Sequence, residues 1–443
     1  MADPSISSTN PQEKGSYTAS DYQLNVYVLT SDGNLFTISN IILNFNLYEN
    51  IFTPYVSGDI EIGDAQDLLF NYSFNGNEYL KIVLSKPGEN EPGNEPIQKY
   101  FRIYKVSNRV LKSQSLQNYT IHFCSEEAIL STQTLIRKSY KGMPVSDIIQ
   151  DIVKNVLKAS PDKLNGGVSK TAGNYDIIVP RMQPFEAISW LKTRAYDTDK
   201  TAYFFYENRF GYNFLSYEDL LNQTTYRTYD RSPKVDPDPS KAQNSIYHIG
   251  FAEEFDIIKG NRYGAFATSL LTFDLLSRSY NKTTLSAPQL DLQKNFLNKY
   301  PFANFSQNRF NKTLFDNEES MQKFYLTTDS DKNTNPTFPQ KWLIKQAIKL
   351  AELNSRKVII NIPFDALVTA GAIVELNIPV MRPQDKKYEK DKFKSGRYLV
   401  SSVHHGITGD AASTTLELLT DSIGDQLPNA AIFSGTLQDF KSS

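Results

Sequence analysis

A chain of 443 residues that is 40% hydrophobic and 22% charged has the composition of a globular protein, and its length predicts about three domains. Its formal net charge of −2 excludes a basic field that would draw the whole molecule to nucleic acid or to an anionic membrane. The single cysteine, Cys124, excludes an intramolecular disulfide framework and a multi-cysteine metal site. The 26 tyrosines and 27 phenylalanines favour strands over helices.

The N-terminal third contains a polar arm followed by an all-β pattern. Residues 1–20 are rich in Ser, Thr, Asn and Pro and can bury little, so we expect a flexible arm there. Apolar and polar residues then alternate, as in residues 41–47, where asparagines occupy the face opposite the apolar side chains. This alternation predicts half-buried strands, and the first β unit is predicted to span residues 21–135.

Helical and strand patterns alternate over residues 136–232. Residues 143–157 and 184–195 carry apolar side chains at helical spacing, and a proline begins the second of these helices. Residues 175–179 and the aromatic stretch 201–216 have strand patterns. Together they predict an inserted α/β domain, in which the aromatic stretch is interpreted as packed core.

A segment with three prolines, residues 233–245, is predicted to be a linker that leads to a second β unit. Residues 246–259 and 263–278 are predicted to form a long hairpin that turns at Gly260-Asn261. Residues 281–340 show no sustained period and are interpreted as a peripheral insertion of loops and short elements.

The stretch that completes the second β unit opens with an amphipathic helix over residues 341–354. Strand signals follow, separated by prolines and glycines, at residues 358–362, 372–378, 397–404 and 415–420. The second unit is therefore predicted to combine residues 246–280 with residues 341–421. Residues 422–443 are predicted to be a C-terminal extension.

Sequence motifs that carry chemistry are absent. No glycine-rich phosphate loop occurs. His404 and His405 are adjacent in a predicted strand, so their side chains face opposite ways and cannot bind one metal ion together. Cys124 alternates within a strand pattern and is interpreted as a buried structural thiol. We therefore predict a protein that is not an enzyme and that holds no cofactor and no metal.

Several stretches resemble one protein family. The segments Gly371-Ala-Ile-Val-Glu-Leu-Asn-Ile-Pro379, 395–405 and 414–422 resemble the second tube-like domain of the central baseplate hub proteins of contractile phage tails and related injection systems. This family includes the late control protein D and VgrG-type hubs. Residues 55–64 resemble the first tube-like domain, and the aromatic stretch after the helix at residue 184 resembles the α/β domain that hubs insert.

The resemblance implies a mainly β chain with two tail-tube-like antiparallel β-barrel domains and an inserted α/β domain. It implies a homotrimer whose six similar barrels form a pseudo-sixfold ring, which adapts the sixfold tail tube to the threefold central spike. The two barrels are then expected to superpose. Expected partners are the central spike protein, the tail tube or tube-initiator ring, and baseplate wedge proteins. DNA or cargo would pass through the lumen without sequence-specific binding.

The location that the resemblance implies is the tail baseplate of a virion. No basic-then-apolar leader opens the sequence and no apolar run reaches about 20 residues, so we expect synthesis in the host cytoplasm and no membrane anchor. The alternative is a multi-domain β-rich module that binds a carbohydrate or a protein without assembly symmetry. That alternative predicts a monomer or a dimer, whereas the hub interpretation predicts a trimer.

The candidate interaction site is the charged loop from Met381 to Ser395. Its basic residues outnumber its three acidic residues on a molecule that is slightly negative overall. The loop is either an ordinary solvated surface loop or a docking surface for an acidic neighbouring ring. Its candidate interaction residues are Arg382, Lys386, Lys387, Lys390, Lys392 and Lys394.

Overall fold

The computed structural model describes residues 23–72, 74–85, 97–198, 200–231, 243–254, 256–265, 267–286, 296–301, 321–327, 339–380, 389–409 and 411–425. The predicted N-terminal arm, most of the predicted linker and most of the C-terminal extension lie outside these residues.

The described residues are mainly β, which confirms this part of the sequence prediction. The strands are β1 Gln23–Leu29, β2 Leu35–Thr37, β3 Ile42–Asn50, β4 Ser57–Asp64, β5 Tyr79–Ser85, β6 Ile97–Ser113, β7 Leu116–Cys124, β8 Ile136–Met143, β9 Tyr175–Met182, β10 Tyr203–Asn208, β11 Gly211–Ser216, β12 Thr225–Asp230, β13 His248–Glu253, β14 Ala267–Asp274, β15 Ser279–Ser286, β16 Tyr300–Pro301, β17 Gln322–Thr327, β18 Arg356–Pro363, β19 Ile373–Asn377, β20 Gly396–Thr408, β21 Ala411–Thr420 and β22 Ser422–Ile423. The α-helices are Leu68–Asn71, Glu126–Gln133, Val145–Asp151, Pro184–Lys192, Tyr217–Leu221, Ile257–Tyr263 and Pro339–Leu353. Shorter helical turns are the 3₁₀ segments Ser39–Ile41 and Pro161–Asn165 and the π-helical segment Ile152–Val156.

One 13-stranded sheet runs through both predicted β units. Its main path is β13-β18-β21-β20-β3-β4-β7-β6-β5-β1-β2, and the neighbouring strands along this path are antiparallel. A branch leaves at β20, where β19 pairs antiparallel with β20 and parallel with β12. Within the described strands the path is open, because β2 and β13 each have a partner on one side only. The strands of the two units therefore form one shared open sheet and not two closed barrels.

The two units are joined on β20, which changes its partner along its length. Residues 396–399 pair with β19, whereas residues 402–408 pair with β3. In this second register His404 lies opposite Tyr48 and Gly406 lies opposite Asn46. Strand β3 of the first unit is thus paired directly with a strand of the second unit.

The predicted hairpin of residues 246–259 and 263–278 is wrong. The helix Ile257–Tyr263 occupies the predicted turn, because the Asp256 side chain accepts a hydrogen bond from the Lys259 backbone N–H at 2.8 Å and caps its start. Gly264, with φ of +76°, ends this helix. The next strand, β14, pairs with β15 and β17 in a separate three-stranded sheet.

The C-terminal block was predicted more accurately. The helix Pro339–Leu353 and the strands β18, β19, β20 and β21 lie at the predicted positions. The helix contacts three regions: Ile344 and Ile348 pack against Leu270 of the three-stranded sheet, Trp342 packs in the core of the α/β region, and Leu353 packs in the core of the second unit. This helix therefore connects the three-stranded sheet to the α/β region and to the second unit.

The α/β region has its own core. Its two antiparallel strand pairs, β8–β9 and β10–β11, surround buried side chains of the helices Val145–Asp151 and Pro184–Lys192. Pro184 begins the second helix as predicted, and a capping box between Gln183 and Glu186 satisfies backbone groups at its start.

The cores of the two β units interlock. Phe364 and Ala366, from the segment between β18 and β19, pack in the core of the first unit. Ile51, the residue after β3, packs in the core of the second unit. None of the helices in the described part of the chain combines the length and apolar character that a membrane span requires.

Candidate functional site

Three of the six candidate residues of the charged loop lie in the described part of the chain. Lys390 Nζ lies 3.1 Å from Glu375 Oε1, and Lys392 Nζ lies 3.3 Å from Asp425 Oδ2. Lys394 Nζ stands 5.1 Å from the centre of the Phe251 ring. Ion pairs at this level of exposure contribute about 0–1 kcal/mol, so a better-placed acidic partner would displace them.

The two ends of the charged loop are fixed to each other. The Val380 backbone N–H donates to the Glu389 carbonyl at 2.8 Å, and the Asp391 N–H donates to the Ile378 carbonyl at 2.7 Å. The loop therefore begins and ends at two backbone segments that are hydrogen-bonded to each other beside β19. Arg382, Lys386 and Lys387 lie outside the described residues. An interaction role for the six residues stays a prediction.

One face of the large sheet around the β3–β20 junction is lined by polar side chains, and we call it the polar face. Its residues are Asn44, Asn46, Tyr48, Asp59, Glu61, Thr120, His122, Ser402, His404, Thr408, Thr415 and Glu417, all of which are partly or fully exposed. The opposite face of the same strands carries buried apolar side chains, among them Phe45, Ile60, Ile121, Val403 and Leu416. Alternation with a period of two therefore gives this sheet one dry face and one wet face.

A chain of side-chain contacts crosses the junction on the polar face. Asn46 Nδ2 donates to Asp59 Oδ1 at 2.9 Å, and His404 Nε2 donates to Asn46 Oδ1 at 2.8 Å. The His404 ring stacks on Tyr48, with ring centres 4.8 Å apart. Because His404 belongs to the second unit and its partners belong to the first, these contacts fix the register between the two units.

The polar face has no dominant charge. Burial lowers the pKa of His404, although Asp59 opposes the shift, so the imidazole is neutral at pH 7. Burial and the adjacent Asp59 raise the pKa of Tyr48 to about 12, so its hydroxyl stays protonated. Glu417 is paired with Lys357 at 3.1 Å. A surface of amides, hydroxyls and mixed charges contacts water without binding a polyanion tightly.

Apolar side chains are exposed at both ends of the sheet path. At the β2 end, Leu29 and Leu35 lie opposite each other and are 41% and 56% exposed. At the β13 end, Tyr247 is 51% exposed. Edge strands with open backbone groups and exposed apolar side chains are suited to pairing with another chain.

A buried charged cluster lies below the junction and was not predicted from the sequence. Lys163 Nζ lies 2.6 Å from Glu127 Oε2 and 3.0 Å from Glu207 Oε1. Burial alone would lower the pKa of Lys163, but the two carboxylates raise it above its ordinary value. The three residues lie far apart in the sequence. No local pattern around any of them indicates that its charged side chain is buried.

In the ranges that the structure describes, no group of three or more His, Cys, Asp and Glu side chains is arranged to hold a metal ion. Cys124 is buried, and burial raises the pKa of its thiol to about 11, which keeps it protonated. The absence of enzymatic activity stays a prediction.

Comparison with known proteins gives a shared fold. No family model matches the chain, and no curated protein matches it significantly. The tail protein from Neisseria meningitidis MC58 aligns with a TM-score of 0.51 at 12% identity, over 90% of this chain and 97% of that chain. The 43 kDa tail protein of prophage MuSo2 from Shewanella oneidensis aligns with a TM-score of 0.50 at 9% identity, over 90% and 98%. A component of the E. coli type VI secretion system aligns with a TM-score of 0.44 at 9% identity, over 89% and 79%. The chain thus has the fold of the first two tail proteins over most of its length.

Proposed function

We propose that this chain is the central hub of a contractile-tail baseplate, a homotrimer that forms a pseudo-sixfold ring. The observation that carries the proposal is the single open sheet, which runs through both β units and presents one polar face. Each unit serves as a tube-like domain, so three copies supply six. The ring then adapts a sixfold tail tube on one side to a threefold central spike on the other.

The open ends of the sheet support a way for the proposed ring to close. β2 and β13 are different strands, so pairing one end with the other end of a neighbouring copy is a head-to-tail contact. Head-to-tail contacts form closed rings when the rotation between copies is right. Closure between copies would complete the barrel walls that a single chain leaves open and would remove its exposed edges.

The polar face would line the channel of the ring. Its side chains are amides, hydroxyls and charges of both signs, and they are held by cross-strand hydrogen bonds. Such a lining stays hydrated and gives DNA or protein cargo no basic stripe to bind, which favours passage over retention. No sequence-specific recognition of DNA is assigned to this surface, and no catalytic role is assigned to the chain.

The fold shared with the tail protein from Neisseria meningitidis and with the prophage tail protein from Shewanella oneidensis supports this function. The proposed hub function implies three partners, which are the central spike protein, the tail tube or tube-initiator ring, and baseplate wedge proteins. The charged loop beside β19 would face one of these rings. The protein would then reside in the tail baseplate of a virion.

The molar mass in solution tests the proposal. Light scattering of the purified protein, alone and mixed with its spike partner, should give three times the chain mass of 50.3 kDa. A species that stays monomeric or dimeric in both settings would instead support the binding module without assembly symmetry.

A further inference from the structure

The side chain of Glu49 connects three parts of the molecule. It lies on the dry face of β3 and is 4% exposed. Its Oε2 accepts a hydrogen bond from the Ala370 backbone N–H at 3.0 Å, and the carboxylate also accepts one from the Arg209 backbone N–H. Ala370 precedes β19 in the second unit, and Arg209 lies in the turn between β10 and β11 of the α/β region. One buried carboxylate thus joins the first unit, the second unit and the α/β region.

Other contacts at this joint also run between the three parts. Asn208 Nδ2 donates to the Ala370 carbonyl at 3.3 Å, and the Val56 backbone N–H donates to Glu207 Oε2 at 3.2 Å. A cavity of about 40 Å³ lies beside Glu49 and is lined in part by Lys99 and His405. Since a water needs roughly 10–15 Å³ of such space, the cavity can take two or three waters.

The charged groups around Glu49 do little to stabilise its ionised carboxylate. Lys163, from the 3₁₀ segment Pro161–Asn165, is held by Glu127 and Glu207. His405, from β20, is neutral, because burial lowers its pKa to about 3 and its Nδ1 bonds the Thr414 hydroxyl at 3.0 Å. The groups that face the joint are Lys99 from β6, Asp162 and Lys163 from the 3₁₀ segment, Glu127 from the helix Glu126–Gln133, Glu207 from β10, Arg209 from the β10–β11 turn and His405 from β20.

The balance of these groups favours the neutral acid. Burial raises the pKa of Glu49 to about 7, and Glu207 acts in the same direction. The two backbone hydrogen bonds and Lys99 oppose this shift without cancelling it. An ordinary glutamate is ionised well below pH 7, so the raised pKa moves the change of charge of Glu49 into the neutral pH range.

We propose that Glu49 is a proton-controlled joint that holds the α/β region against the two β units when it is neutral and loosens it when it is ionised. An ionised carboxylate requires more water around it than the small adjacent cavity holds, and opening the joint supplies that water. The inference does not depend on the assembly state of the chain.

The direction of the pH effect follows from the raised pKa. The closed joint binds the proton more tightly than the open joint, so its extra stability is fully present below about pH 4.5. This stability declines as the pH rises and is lost above about pH 7. Between pH 5 and pH 8 the opening constant should therefore rise by about 70-fold, because each pKa unit of difference is tenfold in an equilibrium constant.

Hydrogen exchange of the full-length protein tests the joint. Protection of the backbone N–H groups of Ala370 and Arg209, corrected for the intrinsic pH dependence of exchange, should fall by tens of fold between pH 5 and pH 8. In Glu49→Gln, whose amide does not titrate, protection should stay level. Glu61→Gln, a matched change on the polar face, should behave like the wild type.

Parallel pH profiles in the wild type and in Glu49→Gln would overturn the proposal. If Glu49→Gln does not fold, the titration of the Glu49 carboxyl carbon in the wild type, followed by NMR, decides the question. A midpoint near pH 7 supports the joint, and a midpoint near 4.5 excludes it.

Discussion

Replacing Leu29 and Leu35 with lysine should break the proposed ring without unfolding the subunit. The two side chains lie opposite each other at the β2 end of the sheet and are 41% and 56% exposed in the single chain. Surface substitutions of this kind usually change the free energy of unfolding by no more than about 0.5 kcal/mol. Their effect is therefore expected on association and not on folding.

The size of the effect on trimer stability follows from the exposed fraction of the two leucine side chains. Full burial of a leucine side chain is worth about 1.5–3 kcal/mol, and about half of each side chain is still available for burial, so each contributes about 1 kcal/mol to an interface. The pair contributes about 2 kcal/mol, which corresponds to roughly a 30-fold weaker dissociation constant at each interface. The buried ammonium groups would weaken it further.

Native mass spectrometry of Leu29→Lys/Leu35→Lys over a range of concentrations measures the shift from trimer to monomer. Leu111→Lys is the control, because Leu111 of β6 is 75% exposed and lies opposite Gln117 of β7, three strands away from β2 along the sheet path. The control should remain trimeric. A double variant with the same trimer stability as the control would refute the assignment of the β2 end as an interface.

Three further outcomes are expected. Gly58→Ala should lower the melting temperature sharply, because its Cβ would clash with the Asn46 carbonyl oxygen of β3 and with the Phe123 ring, and unchanged thermal unfolding would contradict this packing. Lys163→Met should destabilise the fold by about 3–5 kcal/mol in denaturant titration, because it leaves two buried carboxylates without their cation, whereas Lys357→Met at a half-exposed pair should change stability by less than about 1 kcal/mol. Reversing Lys386, Lys387 and Lys390 to Glu should leave the subunit folded but weaken co-sedimentation with the tube-side ring, and binding that is unchanged over a range of salt would return the loop to an ordinary surface role.

Sequence patterns located strands well where burial follows a strict period. Phe45 and Leu47 alternate with asparagines, and the structure places β3 there with one buried face and one wet face. The same logic placed β20 and β21. It could not supply the partner of each strand, because alternation shows which face is buried but not which strand lies beside it. The pairing of β3 with β20 was therefore found only in the structure.

The failed hairpin has a local cause. Gly260-Asn261 has turn chemistry, but Asp256 and Gly264 are equally good helix caps, and the structure uses the caps. The buried cluster around Lys163 was missed for a different reason. Lysine and glutamate are usually exposed, and only a tertiary arrangement that brings together residues 127, 163 and 207 makes their burial favourable.

The pairing of β3 with β20 also constrains the order of folding. His404 bonds Asn46 across 358 residues of sequence. At a synthesis rate of about 5–20 residues per second, β3 leaves the ribosome roughly 20–70 seconds before its partner exists. During that interval the edge of the nascent first unit is open to other chains, and contacts of such high sequence separation form slowly. The C-terminal strands thus cover the edge of the first unit late in synthesis. A chain that stops before β20 would present an N-terminal unit whose open edge favours aggregation.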